Sequence, residues 1–225
     1  MGTIFRHMSK TLLREYVKLV TEVYKGNFNF EHFKSLRDCY EMVNYADKFL
    51  TMVDEGSSRR AYILSSRYAL KVALDHRGIA QNETELAVYT NPKTQPCLTK
   101  MHACDDKYRW IIVDLVKPIK LRGEFKALTG MSWEAFCGAI RKVMYDIDDL
   151  EQERLRQERG IKSVDVNDPF FMAVIATMKA NDLLVDDISQ IQQWGKTSDG
   201  RCVILDYGCT NDVYSAFYTG AMTDT

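Results

Sequence analysis

The chain has 225 residues, 46% of them hydrophobic, enough for one domain with an appendage or two small lobes and too apolar for a disordered chain. Its 30 Lys and Arg nearly balance 31 Asp and Glu, leaving a net charge of −1, so non-specific nucleic-acid binding is not expected. No 18-residue apolar run offers a membrane span, Met1–Lys10 has no apolar secretory core, and the six cysteines form no Cys-x-x-Cys pair; the expectation is a soluble cytoplasmic protein with free thiols and no zinc.

Ser9 can cap a helix from about Lys10 to Tyr24, with Leu12, Leu13, Tyr16, Leu19, Val20 and Val23 on one face and Gly26 beyond its end. A second helix is predicted from Phe30 to Ala46, with Phe33, Leu36, Tyr40 and Val43 as its stripe. Together they read as a helical hairpin over residues 1–47, packed on something else. From Phe49 the period shortens. Phe49–Asp54, Arg60–Leu64 and Tyr68–Asp75, divided by small polar residues, predict a three-stranded antiparallel meander.

Gln81–Tyr89 suits a helix and Tyr108–Val116 an apolar strand, which closes a sheet lobe of residues 48–117. Residues 118–225 are predicted mostly helical. Ser132 caps a helix that continues into a mixed-charge run ending near Arg159, and Asp168-Pro169 opens another that reaches about Leu184. Asp199-Gly200 between Trp194–Lys196 and Cys202–Asp206 is a hairpin signal. Strands first and helices later make an α+β pattern.

Four stretches could carry chemistry, and each has an ordinary structural reading. Glu55-Gly56-Ser57-Ser58-Arg59 is a turn whose small residues would let backbone N–H groups approach a phosphate, or a plain hairpin loop. Lys71, in Ala69-Leu70-Lys71-Val72-Ala73, would face away from a core that takes Leu70 and Val72, or simply face solvent. On the next helix, Glu85 could hold the Lys71 ammonium; Glu83 competes for that role, and either could be a surface glutamate. Asp206, leaving the apolar run Val203-Ile204-Leu205 before Tyr207-Gly208, is a suitable hard ligand for Mg2+.

The order loop, strand lysine, helix glutamate, apolar strand and Asp-aromatic-Gly resembles the protein-kinase-like superfamily over Phe49 to Gly208. Gly56, Ser57, Ser58 and Arg59 look like its Gly-rich loop, Lys71 like its strand lysine and Glu85 like its helix glutamate. Ile112–Val116 looks like the strand that enters the hinge, which puts Asp114 and Val116 beside a nucleotide base. Asp206-Tyr207-Gly208 matches the Asp-Phe-Gly motif. The runs G-S-S-R-R-A-Y-I-L, A-L-K-V-A and G-I-A-Q-N-E-T-E are also similar to small kinase-like proteins of tailed bacteriophages. The resemblance implies ATP and Mg2+ as ligands, with Lys71, Asp187 and Asp206 catalytic.

The sequence departs from that pattern in two places. Asp187 can stand for the catalytic base, but no His-Arg precedes it, and the expected asparagine is replaced by Gln193 by position or Gln192 by spacing. Only seventeen residues follow Gly208, which leaves no room for an activation segment and predicts a truncated helical lobe. The first functional expectation is therefore a degenerate, pseudokinase-like protein that can bind nucleotide and acts by contacting another protein, of host or phage. A minimal phosphotransferase or nucleotidyltransferase is the second. The third is a phage assembly protein that reuses the fold, virion-associated, with Tyr214–Tyr218 either docking on a partner or tucking back.

Overall fold

Asn29 and Asp38 each start a helix by turning a side-chain oxygen onto the backbone N–H three residues on. The computed structural model describes residues 27–94, 96–146, 154, 157–160 and 162–219. The helix predicted over Lys10–Tyr24 lies outside these residues. The helix predicted from Phe30 to Ala46 is two helices, α1 (Phe30–Ser35) and α2 (Cys39–Phe49). Leu36 is extended at φ −66° and ψ 147°, and the Asp38 carboxylate accepts the Glu41 N–H at 2.9 Å to begin α2.

The described residues form two units. The first takes residues up to Leu86 together with Lys100–Leu115; the second takes Ala87–Thr99 and everything from Val116. Both are α+β, the first a small antiparallel sheet with helices, the second helical with a small three-stranded sheet.

In the first unit β1 (Thr51–Glu55), β2 (Arg59–Ile63) and β3 (Tyr68–Ala73) form the expected meander. Helix α3 (His76–Thr90) follows, and β4 (Met101–Cys104) and β5 (Trp110–Asp114) complete the sheet in the order β1-β2-β3-β5-β4. Register settles the faces, because side chains alternate along each strand. Tyr62 lies opposite Leu70, and Leu70 opposite Ile112. These residues, with Tyr68, Val72 and Trp110, bury one face under Phe28, Phe30, Phe33, Met42, Val43 and Ala46. Lys71, opposite Ala61 and Ile111, is thereby left on the other face.

In the second unit α4 (Arg122–Thr129) and α5 (Trp133–Tyr145) precede α6 (Pro169–Asn181) and the short α7 (Val185–Ile188). The Ser132 hydroxyl and the Asp168 carboxylate cap α5 and α6 as the sequence predicts. Helix α5 ends at left-handed Asp146 (φ 53°), most of the predicted run from there to Arg159 lying outside the described residues, and α6 ends at left-handed Asp182 (φ 50°), short of Leu184. Phe125, Trp133, Phe136, Phe170 and Trp194 meet ring to ring in the core, with centroids 4.8–6.3 Å apart. The hairpin of β7 (Trp194–Lys196) and β8 (Cys202–Ile204) forms where Asp199-Gly200 foretells it, and Gly200 supplies the positive φ of 87° that the turn needs. The two-residue strand β6 (Lys117–Pro118) pairs with β7. Helix α8 (Asn211–Phe217) buries Val213 and leaves Tyr214 41% exposed. No helix among the described residues is long and apolar enough to cross a membrane.

Candidate functional site

The other face of the first sheet carries a compact ionic cluster. Glu85 of α3 is fully buried, and one of its oxygens, Oε1, accepts from both Arg59 Nη1 at 2.6 Å and Lys71 Nζ at 2.9 Å. Lys71 also reaches Oε2 at 3.2 Å. Both cations are themselves largely buried, with side-chain exposures of 6% for Arg59 and 12% for Lys71. Glu83 is exposed, so the carboxylate on Lys71 is that of Glu85.

The register explains the meeting. Ala61 lies opposite Lys71, and Arg59, two residues before Ala61 on β2, comes out on the same face. Helix α3 turns a polar face to these cations. Asn82, fully buried, accepts from Arg59 Nη1 at 3.1 Å and donates to the Tyr108 carbonyl at 2.8 Å. The Gln81 amide oxygen accepts from the Ser58 hydroxyl at 2.8 Å.

The turn between β1 and β2 is thus held from behind. Gly56 and Ser57 are exposed at its tip, where the Gly56 N–H bonds the Arg59 carbonyl at 2.9 Å. Ser58 and Arg59 point inward and are buried. Arg77 Nη2 donates to the Ser57 carbonyl at 3.0 Å, and the Leu74 N–H to that of Ser58 at 2.8 Å.

The start of α3 is capped by Asp75, whose carboxylate accepts the N–H groups of Arg77 (2.9 Å) and Gly78 (3.2 Å) and the Arg77 guanidinium. Burial pushes this carboxyl up, but the Arg77 side chain and the two backbone donors outweigh it and hold it below its ordinary value. A depressed carboxyl stabilises the fold above its ordinary pKa of 3.8, and that contribution is lost as pH falls through the lower folded value. Asp75→Asn is therefore expected to flatten the acid limb of a stability–pH curve below about pH 4. Superimposable acid limbs in wild type and variant would contradict this.

At the end of β5 the Asp114 carboxylate pairs with His102 Nε2 at 2.6 Å, and the Asp114 N–H bonds the Lys100 carbonyl at 2.9 Å. Val116, the first residue of this stretch in the second unit, is buried.

The second unit brings Gln193 and Asp206 to one end of the β7–β8 hairpin. Trp194 pairs with Ile204, and one step further the Leu205 N–H donates to the Gln193 carbonyl at 2.7 Å. Asp206 follows directly and accepts the Gly208 N–H at 3.2 Å. Tyr207 is buried, with its hydroxyl on the Thr99 carbonyl at 2.9 Å, which fixes the residue on each side of it. Gln192 is exposed and bonds Gln190. Asp187 sits half-buried in α7, with the Gln190 amide 3.5 Å from its carboxylate, and the Trp194 indole N–H holds α7 through the Ile188 carbonyl at 2.9 Å.

Among the described residues, no three His, Cys, Asp or Glu side chains cluster as a metal cage. Asp206 with the Gln193 amide oxygen is a donor set of the kind Mg2+ accepts, one carboxylate and a neutral oxygen completed by phosphates and water. All six cysteines are free, and burial pushes the Cys137 thiol up to about 11 and that of Cys202 to about 12, so neither presents a thiolate at neutral pH.

Arg59, which the sequence reading places in the turn before β2, is the first residue of that strand and a buried partner of Glu85.

No family profile matches the chain, and no curated protein matches it. Among solved structures it is similar to APH(2'')-IIa in a ternary complex with streptomycin and ATP, at 13% identity over 81% of this chain and 71% of that one, with a TM-score of 0.40. It is also similar to the ADP-bound aminoglycoside phosphotransferase APH(2'')-Ib, at 14% identity over 76% and 69% of the two chains, with a TM-score of 0.35.

Proposed function

We propose that the chain is a protein-kinase-like domain that binds an ATP-type nucleotide. The observation that carries this reading is the buried Lys71–Glu85 ion pair between an antiparallel sheet and the helix that follows its third strand. A lysine is a flexible point charge, and a buried carboxylate behind it fixes where that charge sits. In this reading Lys71 contacts the phosphates and Glu85 orients it. The exposed Gly56-Ser57 tip offers backbone N–H groups to the same phosphates. Asp206 and Gln193 would hold Mg2+, which when bound would neutralise phosphate charge. Asp114 and Val116 would border the base.

We further propose that binding outruns turnover. Asp187 lacks the His-Arg that precedes a kinase base, and glutamine stands where the superfamily has asparagine. A domain of this kind would act chiefly through contact with another protein. A second reading, a minimal phosphotransferase, is favoured by the fixed placement of Gln193 beside Leu205-Asp206.

Thermal unfolding tests the first reading. Mg-ATP at a hundred times its dissociation constant should stabilise the fold by roughly 2.7 kcal/mol, and Lys71→Ala should abolish that gain. Identical melting with and without Mg-ATP, Mg-GTP and AMP would contradict it. Incubation with labelled ATP and cell lysate separates the two readings: label on a product or acceptor that disappears in both Lys71→Ala and Asp206→Ala means transfer, whereas stabilisation without label means binding alone.

A further inference from the structure

We infer that Thr99 and the Tyr207 hydroxyl are positioning groups that hold the Asp206 carboxylate in place for a divalent cation. This rests on the reading of Asp206 as a cation ligand given above. Thr99 belongs to the same unit as Asp206, although 105 residues separate it from Ile204. It is buried and grips the chain on both sides of Asp206. Its N–H and its hydroxyl both donate to the Ile204 carbonyl, at 2.9 and 2.7 Å. Its own carbonyl accepts the Tyr207 hydroxyl at 2.9 Å. One residue thus bonds the position two before the carboxylate and the position just after it.

The bracket is itself anchored. The Ile204 N–H donates to the Cys97 carbonyl at 2.8 Å, and Leu98 pairs with Ile204 in a parallel bridge, so Cys97–Thr99 runs beside the end of β8. Tyr207 is buried, and its hydroxyl is tied at depth. Phenylalanine, the residue of the motif that Asp206-Tyr207-Gly208 resembles, would fill the same space without that tether. A cation that takes one carboxylate from the protein gains when that carboxylate is already in place, because its freedom need not be frozen on binding.

The test is a titration of Mn2+, a paramagnetic substitute for Mg2+, into the full chain, read as the broadening of backbone amide signals. In wild type the signals of Asp206 and Gly208 should broaden first, and Asp206→Ala should abolish this. Tyr207→Phe, which removes the hydroxyl with every bond it makes, is expected to need about fivefold more Mn2+ for the same broadening. Thr99→Val, which loses the hydroxyl bond to Ile204, should need about threefold more, and Thr99→Ser, which keeps it, should stay within about twofold of wild type. Urea unfolding of each variant separates the alternatives. A lowered midpoint with an unchanged Mn2+ requirement in folded Tyr207→Phe would make the role merely structural and overturn the inference. If that variant does not fold, an unchanged Mn2+ requirement in folded Thr99→Val overturns it instead. Broadening that is absent from wild type, or that survives Asp206→Ala, removes the cation site and the inference with it. Nucleotide binding is judged separately, on Lys71→Ala.

Discussion

Glu85→Ala is expected to destabilise the fold by about 3–5 kcal/mol, the largest effect of any single substitution in the cluster. Glu85 is fully buried and is the carboxylate that both Arg59 and Lys71 bond. Its removal takes from both cations a carboxylate that they bond at 2.6 and 2.9 Å, in a place where little water can replace it. Lys71→Met is the informative contrast. It leaves Glu85 bonded by Arg59 at 2.6 Å, so the carboxylate remains neutralised, and the cost is expected to stay near about 1 kcal/mol. Urea denaturation checks both, read as a shift in midpoint at constant slope. Equal losses in the two variants would mean that Arg59 does not support Glu85. The asymmetry also makes Lys71 substitutions clean probes of binding, because the protein that fails to bind is still folded.

Gly78→Ala is the second large effect, expected to cost about 3 kcal/mol and to lower the melting temperature by roughly 6–12 °C. A Cβ at Gly78 would lie 2.1 Å from the Ser58 carbonyl oxygen and 3.0 Å from Cα and Cβ of Ala73. The nearest obstacle is backbone, so no side chain can rotate away; α3 must retreat from the β1–β2 turn. The Ser58 carbonyl is itself held by the Leu74 N–H at 2.8 Å, and the Gly78 N–H by Asp75. Because α3 carries Gln81, Asn82 and Glu85, its retreat would also pull Glu85 away from Lys71 and weaken any ligand that depends on the pair. Gly123, in the first turn of α4, has nothing within 4 Å of its Cβ position. Gly123→Ala is expected to be neutral or to stabilise by up to about 1 kcal/mol, since alanine loses less backbone freedom in a helix. Similar changes in stability at the two glycines would show that the close approach at Ser58 does not control Gly78.

Strand alternation makes the orientation of Lys71 legible in the sequence, since Leu70 and Val72 fix which way it faces. The choice between Glu83 and Glu85 is not legible in the same way. An apolar stripe would set the rotation of α3, but the face it buries at Gln81, Asn82 and Glu85 is polar. Arg59 escapes for a related reason: its partner lies 26 residues away, and its neighbours Ser57 and Ser58 make the segment look like an exposed loop. The break between α1 and α2 was present in Asp38-x-x-Glu41, a capping pattern hidden under a continuous apolar period. Strands β4 and β6, at four and two residues, are too short to show a period. The β7–β8 hairpin was legible because Asp199-Gly200 is local chemistry. Whether Gln192 or Gln193 belongs beside Asp206 was not, because it depends on the pairing of Leu205 with Gln193 across that hairpin.

Titration calorimetry of Mg-ATP into the full chain, repeated with Lys71→Ala, tests the central claim most directly. The expected result is one saturable site in wild type, with affinity lost by at least about tenfold in the variant. No binding heat in wild type, or unchanged affinity in the variant, would contradict it.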